Sequence, residues 1–366
     1  MSFASSTDEV LPVLIAAFLA TALVSFIATP IVRRIGSALG LVDLPDPRKQ
    51  HDAPLPRGGG VAVAAAFLLV GGGLVLFREL IPGMPGIRGV TQENVLGLFG
   101  GGLLATVIGV LDDRFDLRAR WQFAGQLAVA AVALWAGIAI TNVGDPFGPG
   151  KIQLPDLVAV GFTVVWMVGM INSLNFIDGL DGLSTGIALI AAATLGVLSL
   201  TTQVDQPLVA VLCFVLAGGL LGFLRWNFQP AVIFQGTAGV MFMGYALGAL
   251  SILGEAKVVA ALLVLAVPII DTFWVIVRRL SSGRSPFSPD RGHIHHRLLD
   301  LGLSHRATVL LILAVCATLG LMSLLVSSAT GVVAFIGALV LFGVVAFVLR
   351  RDRPGPDPAE PAHERS

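Results

Sequence analysis

Charge is scarce in this chain. Asp, Glu, Lys and Arg together make up 13% of its 366 residues while hydrophobic types make up 55%, about half the charge that soluble domains carry. A water-soluble globule of this length is excluded. A basic excess is missing too, with 23 Lys and Arg against 23 Asp and Glu, so nucleic acid is not an expected partner. Cysteine is almost absent. Cys213 and Cys316 both lie inside apolar runs, which excludes a disulfide framework and a cysteine-based zinc site and predicts two free, buried thiols. The leader Met1–Val10 has no basic residue and carries Asp8 and Glu9, the wrong sign for the start of a cleaved signal peptide.

What the chain has is apolar length. Mean hydropathy is +0.88, and runs of roughly 17 to 22 residues, enough to cross about 30 Å of hydrocarbon, recur throughout. They lie near Leu11–Ile31, Val61–Phe77, Val95–Val110, Phe123–Ile140, Leu157–Met170 and Leu183–Leu200. Others follow near Leu208–Leu224, Ala231–Leu253, Val258–Val277, Ala307–Val326 and Val332–Leu349. The expectation is an all-α polytopic membrane protein of about eleven transmembrane helices. Residues 1–349 form one integral membrane domain, and 350–366, rich in Pro and charge, form a disordered cytoplasmic tail. Loops after the odd-numbered runs, with the tail, hold 19 of the 23 basic residues. The positive-inside rule then puts the N-terminus outside and the C-terminus in the cytoplasm.

Every unusual polar cluster falls on that cytoplasmic side. The first runs from Asp43 through Arg48, Lys49, His51 and Arg57 to Gly58-Gly59-Gly60. Basic groups beside glycines that open a helix suggest an anion cradle; an ordinary basic loop explains it equally well. The second is Asp112-Asp113-Arg114-Phe115-Asp116, where adjacent carboxylates repel unless a cation joins them; a solvated helix end is the bland alternative. The third is Asn172-Ser-Leu-Asn175-Phe-Ile-Asp178-Gly-Leu-Asp181-Gly. Helix caps account for one or two of its four polar groups but not for all. Asp178 and Asp181, three apart, are expected on one face of a helical turn, sharing a cation or a metal-bound phosphate.

The fourth cluster is Asp290-Arg291-Gly-His293-Ile-His295-His296-Arg297. Zinc would want Cys or further His nearby, so donation to diphosphate oxygens suits these side chains better. Asp271 stands apart, inside the ninth run and about 10 Å from its cytoplasmic end at 1.5 Å per residue; such an acid needs a partner. Carboxylates for a divalent cation, basic groups for phosphates and amides for a polar head group describe phosphoryl transfer at a bilayer surface. A transporter is the alternative of another class, but it would place carboxylates near the midplane in two matching halves. Only Asp271 comes near that pattern.

In this order the motifs resemble those of the polyprenyl-phosphate N-acetylhexosamine-1-phosphate transferases, in the branch that makes lipid-linked N-acetylglucosamine. The likeness runs from about Asp43 to Ser304. It rests on Arg48-Lys49-Gln-His51, Leu111-Asp112-Asp113-Arg114-Phe-Asp116, the Asn172–Gly182 segment, Asn227-x-x-Pro230-Ala231, Pro268-x-x-Asp271-Thr272 and Arg284 through Arg297. The resemblance implies transfer of a sugar-1-phosphate, N-acetylglucosamine-1-phosphate above all, from a UDP-sugar to undecaprenyl or another polyprenyl phosphate. UMP is released, the cofactor is Mg2+ with Mn2+ as a substitute, and the setting is the bacterial plasma membrane with a cytoplasmic active site. A homodimer is compatible with it.

By the same resemblance, Asp112 and Asp113 would bind or orient metal and lipid phosphate. Asp178 and Asp181, with Asn172, Asn175 and Asn227, would hold nucleotide and metal. Lys49, His51, Asp271 and the loop of His293, His295, His296 and Arg297 would serve the diphosphate and sugar. One departure stands out. Where the family reads Phe-x-Gly-Asp-x-Gly-Ser, with Asp a metal ligand, this chain has Phe234-Gln235-Gly236-Thr237-Ala238-Gly239-Val240. Thr237 offers metal only a hydroxyl, so a catalytically weakened homologue that still binds nucleotide-sugar or lipid phosphate is the second reading.

Overall fold

The computed structural model describes residues 3–4, 7–43, 54–86, 89–144, 150–254, 257–281, 283 and 293–325, with 333 and 337. Helices dominate. They are α1 (Thr7–Ala38), α2 (Gly60–Ala66), α3 (Gly72–Leu76), α4 (Gln92–Phe115), α5 (Ala119–Trp135), α6 (Asp156–Ile177) and α7 (Leu183–Ser199), then α8 (Pro207–Asn227), α9 (Gly236–Leu253), α10 (Lys257–Val264), α11 (Ala266–Ser281), α12 (Ile294–Asp300) and α13 (His305–Leu325). A π-helical turn, Phe67–Gly71, joins α2 to α3. Among the described residues, strand is confined to two antiparallel pairs, β1 (Val42–Asp43) with β2 (Leu55–Pro56), and β3 (Asn142–Gly144) with β4 (Lys151–Gln153).

The expected eleven spans are cut down. Among the described residues six helices are long and apolar enough to cross a bilayer: α1, α4, α6, α8, α9 and α13. The bent pair α10–α11 would make a seventh. The segments Gly60–Leu76 and Leu183–Ser199 are apolar but shorter, and the last run and the tail lie outside the described residues. The ninth run is not one straight helix. It breaks between Val264 and Ala266 with a bend of 77°, where Pro268 has no N–H to offer the carbonyl one turn back. The bend lies N-terminal to Asp271, and α11 continues unbroken from Asp271 to Ser281.

α8 and α9 are the innermost spans, buried along most of their length. Water drives no association between apolar helices in lipid, so close backbone approach must hold them. Small residues supply it. A Cβ on Gly109 of α4 would come within 2.3 Å of the Ala238 Cα on α9, and one on Gly60 of α2 within 2.0 Å of the Gly239 Cα. The chain's one tyrosine, Tyr245, is buried between α9 and α4 and donates its O–H to the Gly97 carbonyl at 2.6 Å.

Candidate functional site

The C-terminal ends of α4, α6 and α8, the N-terminal ends of α9, α12 and α13, the turn after α6 and the β1–β2 hairpin gather round one cavity of about 400 Å³. Of the residues read from the sequence, Asp113, Asn175, Asp178, Asp181, Asn227, Thr237 and His296 line it.

Asp113 sits at the start of α9. Its Oδ1 accepts the Thr237 N–H at 2.8 Å and its Oδ2 the Ala238 N–H at 3.1 Å, so it caps the positive end of that helix from another element. Gly236, at φ +72°, lets the chain turn there; a Cβ would lie 2.5 Å from Asp113 Oδ2. Residue 237 is therefore at the cavity wall, beside Asp113 through its backbone. Asp112 is placed differently. It is buried outside the cavity lining, its Oδ1 accepting from Gln122 Nε2 at 2.8 Å and from the Leu117 N–H at 3.2 Å. The adjacent acids are thus divided between the site and the end of α4, rather than both facing one cation.

Asp178 and Asp181 do not share a helical face. Asp178 is the C-cap of α6, and a turn through Gly182, at φ +77°, leads into α7. The turn still brings both to the cavity. Ser184 donates its O–H to Asp178 Oδ1. Asp181 Oδ2 accepts the Ala231 N–H at 3.0 Å, and its own N–H donates to His305 Nε2, also at 3.0 Å. Burial pushes the Asp178 carboxyl up to about 7; the Ser184 bond opposes this, and the nearby Asp113 and Asp181 charges reinforce it. Asn172 lies off the cavity lining, exchanging bonds with Gln126 of α5.

The three histidines part company. His293 Nδ1 meets Asp271 Oδ2 at 2.7 Å, and Asp271 Oδ1 accepts the Ile294 N–H at 2.9 Å. The buried acid therefore has its partner, and it anchors the start of α12. His295 is 1% exposed, stacked on His293 and pressed against Gly179. Burial pushes its pKa down to about 2, with the neighbouring histidines adding to the effect, so it carries no charge for a phosphate at any physiological pH. Only His296 reaches the cavity. Arg297 belongs to α12 and is not among the lining residues, while Lys49 and His51 lie outside the described residues.

Asp43 and Arg57, from the first cluster, also line the cavity, and sequence reasoning missed two further polar lining residues, Gln235 and His305. Arg57 stands in the first cluster and pairs with Asp43 across the β1–β2 hairpin; its adjacency to the triple glycine was the available signal. Those glycines are not a free anion cradle. The Gly59 and Gly60 N–H groups donate to the Phe234 and Gln235 carbonyls, each at 2.9 Å, and the Phe234 N–H donates to the Pro56 carbonyl at 2.8 Å. Their work is to clamp the 234–237 loop against the hairpin and α2.

Among the described residues no three His, Cys, Asp or Glu side chains form a closed metal cage. The donor set does fit Mg2+, which takes one or two carboxylates and fills its octahedron with phosphate oxygens and water.

The model for glycosyl transferase family 4 matches residues 95–255, the stretch that carries Asp113, the Asn175–Asp181 turn, Asn227 and Thr237. A Bacillus subtilis protein named "probable undecaprenyl-phosphate N-acetylglucosaminyl 1-phosphate transferase" is 34% identical over 93% of this chain and 92% of its own. This chain belongs to that family. A Mycolicibacterium smegmatis decaprenyl-phosphate N-acetylglucosaminephosphotransferase is 36% identical over 93% of this chain and 89% of its own. The undecaprenyl-phosphate alpha-N-acetylglucosaminyl 1-phosphate transferase of Escherichia coli K12 is 31% identical over 92% and 88%. The match with each of these relatives extends well beyond 95–255.

Proposed function

We propose that this protein transfers N-acetylglucosamine-1-phosphate from a UDP-sugar to a polyprenyl phosphate, releasing UMP. The observation that carries this is the convergence of Asp113, Asp178 and Asp181 with Arg57, His296 and Asn227 on one cavity at the ends of apolar helices. That placement suits a substrate with one end in lipid and one in water. In the reaction a lipid-phosphate oxygen attacks the sugar-bound phosphorus of the UDP-sugar, the diphosphate P–O bond breaks, and UMP leaves with the electron pair. Little proton abstraction is needed from an ionised phosphate, so the residues chiefly position and balance charge. Asp178 and Asp181 would hold metal and nucleotide, Asn227 the nucleotide, and Arg57 with His296 the phosphates. A bound Mg2+ would neutralise charge on the diphosphate.

Thr237 decides between this reading and binding without chemistry. A carboxylate there would add a full charge beside Asp113, where a hydroxyl adds a dipole. UMP release titrated with Mg2+ compares wild type with Thr237→Asp. For the active enzyme, wild type turns over and the variant reaches half-maximal rate at lower Mg2+. An unchanged Mg2+ dependence would put position 237 outside the metal's ligands, and silence from both proteins would favour a chain that only binds.

The orientation is proposed from the basic residues, with the site in the cytoplasm of a bacterial cell where UDP-sugars are made. Arg114 and Lys151 are both exposed and flank α5, Arg114 before its N-terminal end and Lys151 after its C-terminal end. A membrane-impermeant maleimide added to intact cells should label Lys151→Cys and spare Arg114→Cys. The reverse pattern would overturn the orientation.

A further inference from the structure

Behind the cavity wall lies a buried polar chain that joins Asp178 to Asn227. Ser184 and Thr185, in the first turn of α7, and Gln235, just before α9, are all at most 1% exposed. Ser184 Oγ lies within hydrogen-bond reach of Asp178 Oδ1 and stands 3.2 Å from Gln235 Oε1. Thr185 Oγ1 stands 2.9 Å from Asn227 Oδ1 and 2.6 Å from Gln235 Oε1. Asn227 is fixed in its own orientation because its Nδ2 donates to the Ile233 carbonyl at 3.2 Å.

Counting hydrogens settles the direction of these bonds. Four contacts need four donors, but with the Gln235 oxygen facing the hydroxyls only two O–H groups are available. The Gln235 Nε2 is meanwhile buried with no partner among the described residues, and an orphaned buried N–H is the rarer and costlier defect. Amide oxygen and nitrogen are interchangeable in shape. With the Gln235 amide turned end for end, its two N–H groups donate to Ser184 Oγ and Thr185 Oγ1. Those hydroxyls then donate onward, Ser184 to Asp178 and Thr185 to Asn227. Every contact has its hydrogen.

We propose that Gln235 is a positioning residue for the sugar-phosphate transfer: as a double donor it orients the Ser184 and Thr185 hydroxyls, and through them Asp178 and Asn227. This rests on the transferase reading above. Gln235 touches neither substrate in this role. Its backbone is clamped by Gly60, and its side chain lies against Gly239, where a Cβ would meet its Cγ at 2.2 Å.

The test uses detergent-purified full-length protein and follows UMP release. Loss of an outer hydrogen bond that orients a functional ligand costs about tenfold to a hundredfold. Gln235→Leu should lower kcat by that much, with the melting temperature and the KM for polyprenyl phosphate unchanged. Gln235→Glu, which keeps size and acceptors but loses both donors, should be as poor. Thr185→Val, the same shape without the hydroxyl, should lose activity, and Thr185→Ser should restore most of it. An active wild type beside a Gln235→Leu or Gln235→Glu variant of normal kcat overturns the positioning role alone. So does an active Thr185→Val, whose folding does not depend on the Gln235 substitution. A wild type with no turnover removes the transferase reading and this inference with it.

Discussion

Asp178→Asn is expected to lower kcat/KM for UMP release by a hundredfold or more, about 2.7 kcal/mol of transition-state stabilisation. The amide keeps an oxygen for Ser184 and nearly the same volume, so the fold should stand. What disappears is an ionisable carboxyl, with the charge it carries once ionised, at a cavity that Asp113 and Asp181 also line. Asp178 is the cleaner choice among these acids. Asp113→Asn would turn an NH2 group toward one of the two N–H groups at the start of α9, mixing a cost of about 1–3 kcal/mol in stability with the loss of charge. Melting temperature and UMP release measured on one preparation of Asp178→Asn check the prediction. Wild-type turnover in that variant would leave the site without its central carboxylate.

The second large effect is structural. Gly60→Val should abolish the folded protein or lower its stability by about 3 kcal/mol or more. A Cβ at Gly60 would lie 2.0 Å from the Gly239 Cα and 2.5 Å from the Gly239 nitrogen, backbone atoms with no room to retreat. The Gly60 N–H also holds the Gln235 carbonyl, so separating α2 from α9 pulls apart the wall of the site. Gly73→Ala is the matched control, since a Cβ there meets nothing within 4 Å. The monodisperse fraction on size exclusion in detergent, with a thermal melt, reads both. A Gly60→Val protein as stable as wild type would refute the close packing of α2 on α9.

Apolar periodicity and length marked ten of the helical stretches, because burial in lipid leaves a strong one-dimensional signal. It could not show that the ninth run turns through 77° or that a π-helical turn interrupts Gly60–Leu76, since either keeps the same apolar composition. Polar clusters at the ends of those runs pointed to Asp113, Asp178 and Asp181, and the family resemblance to Asn227, all of which line one cavity. The same signal could not separate Asp113 from Asp112, or His296 from His293 and His295. Adjacent residues share a motif but face different ways, and only packing decides which one meets the cavity. His305 stands alone, and Gln235 fills a variable position of the 234–240 motif; the meaning of each comes from partners 124 and 50 residues away.

The central claim, that a sugar phosphate and not a bare sugar is moved, is tested most directly by following the phosphorus. The purified protein is given UDP-N-acetylglucosamine labelled at the phosphorus next to the sugar, with undecaprenyl phosphate and Mg2+. Transfer of N-acetylglucosamine-1-phosphate predicts that the label enters the organic-extractable lipid in step with UMP release, and that Asp178→Asn stops both. Label remaining in water-soluble UDP while the sugar enters the lipid would contradict it.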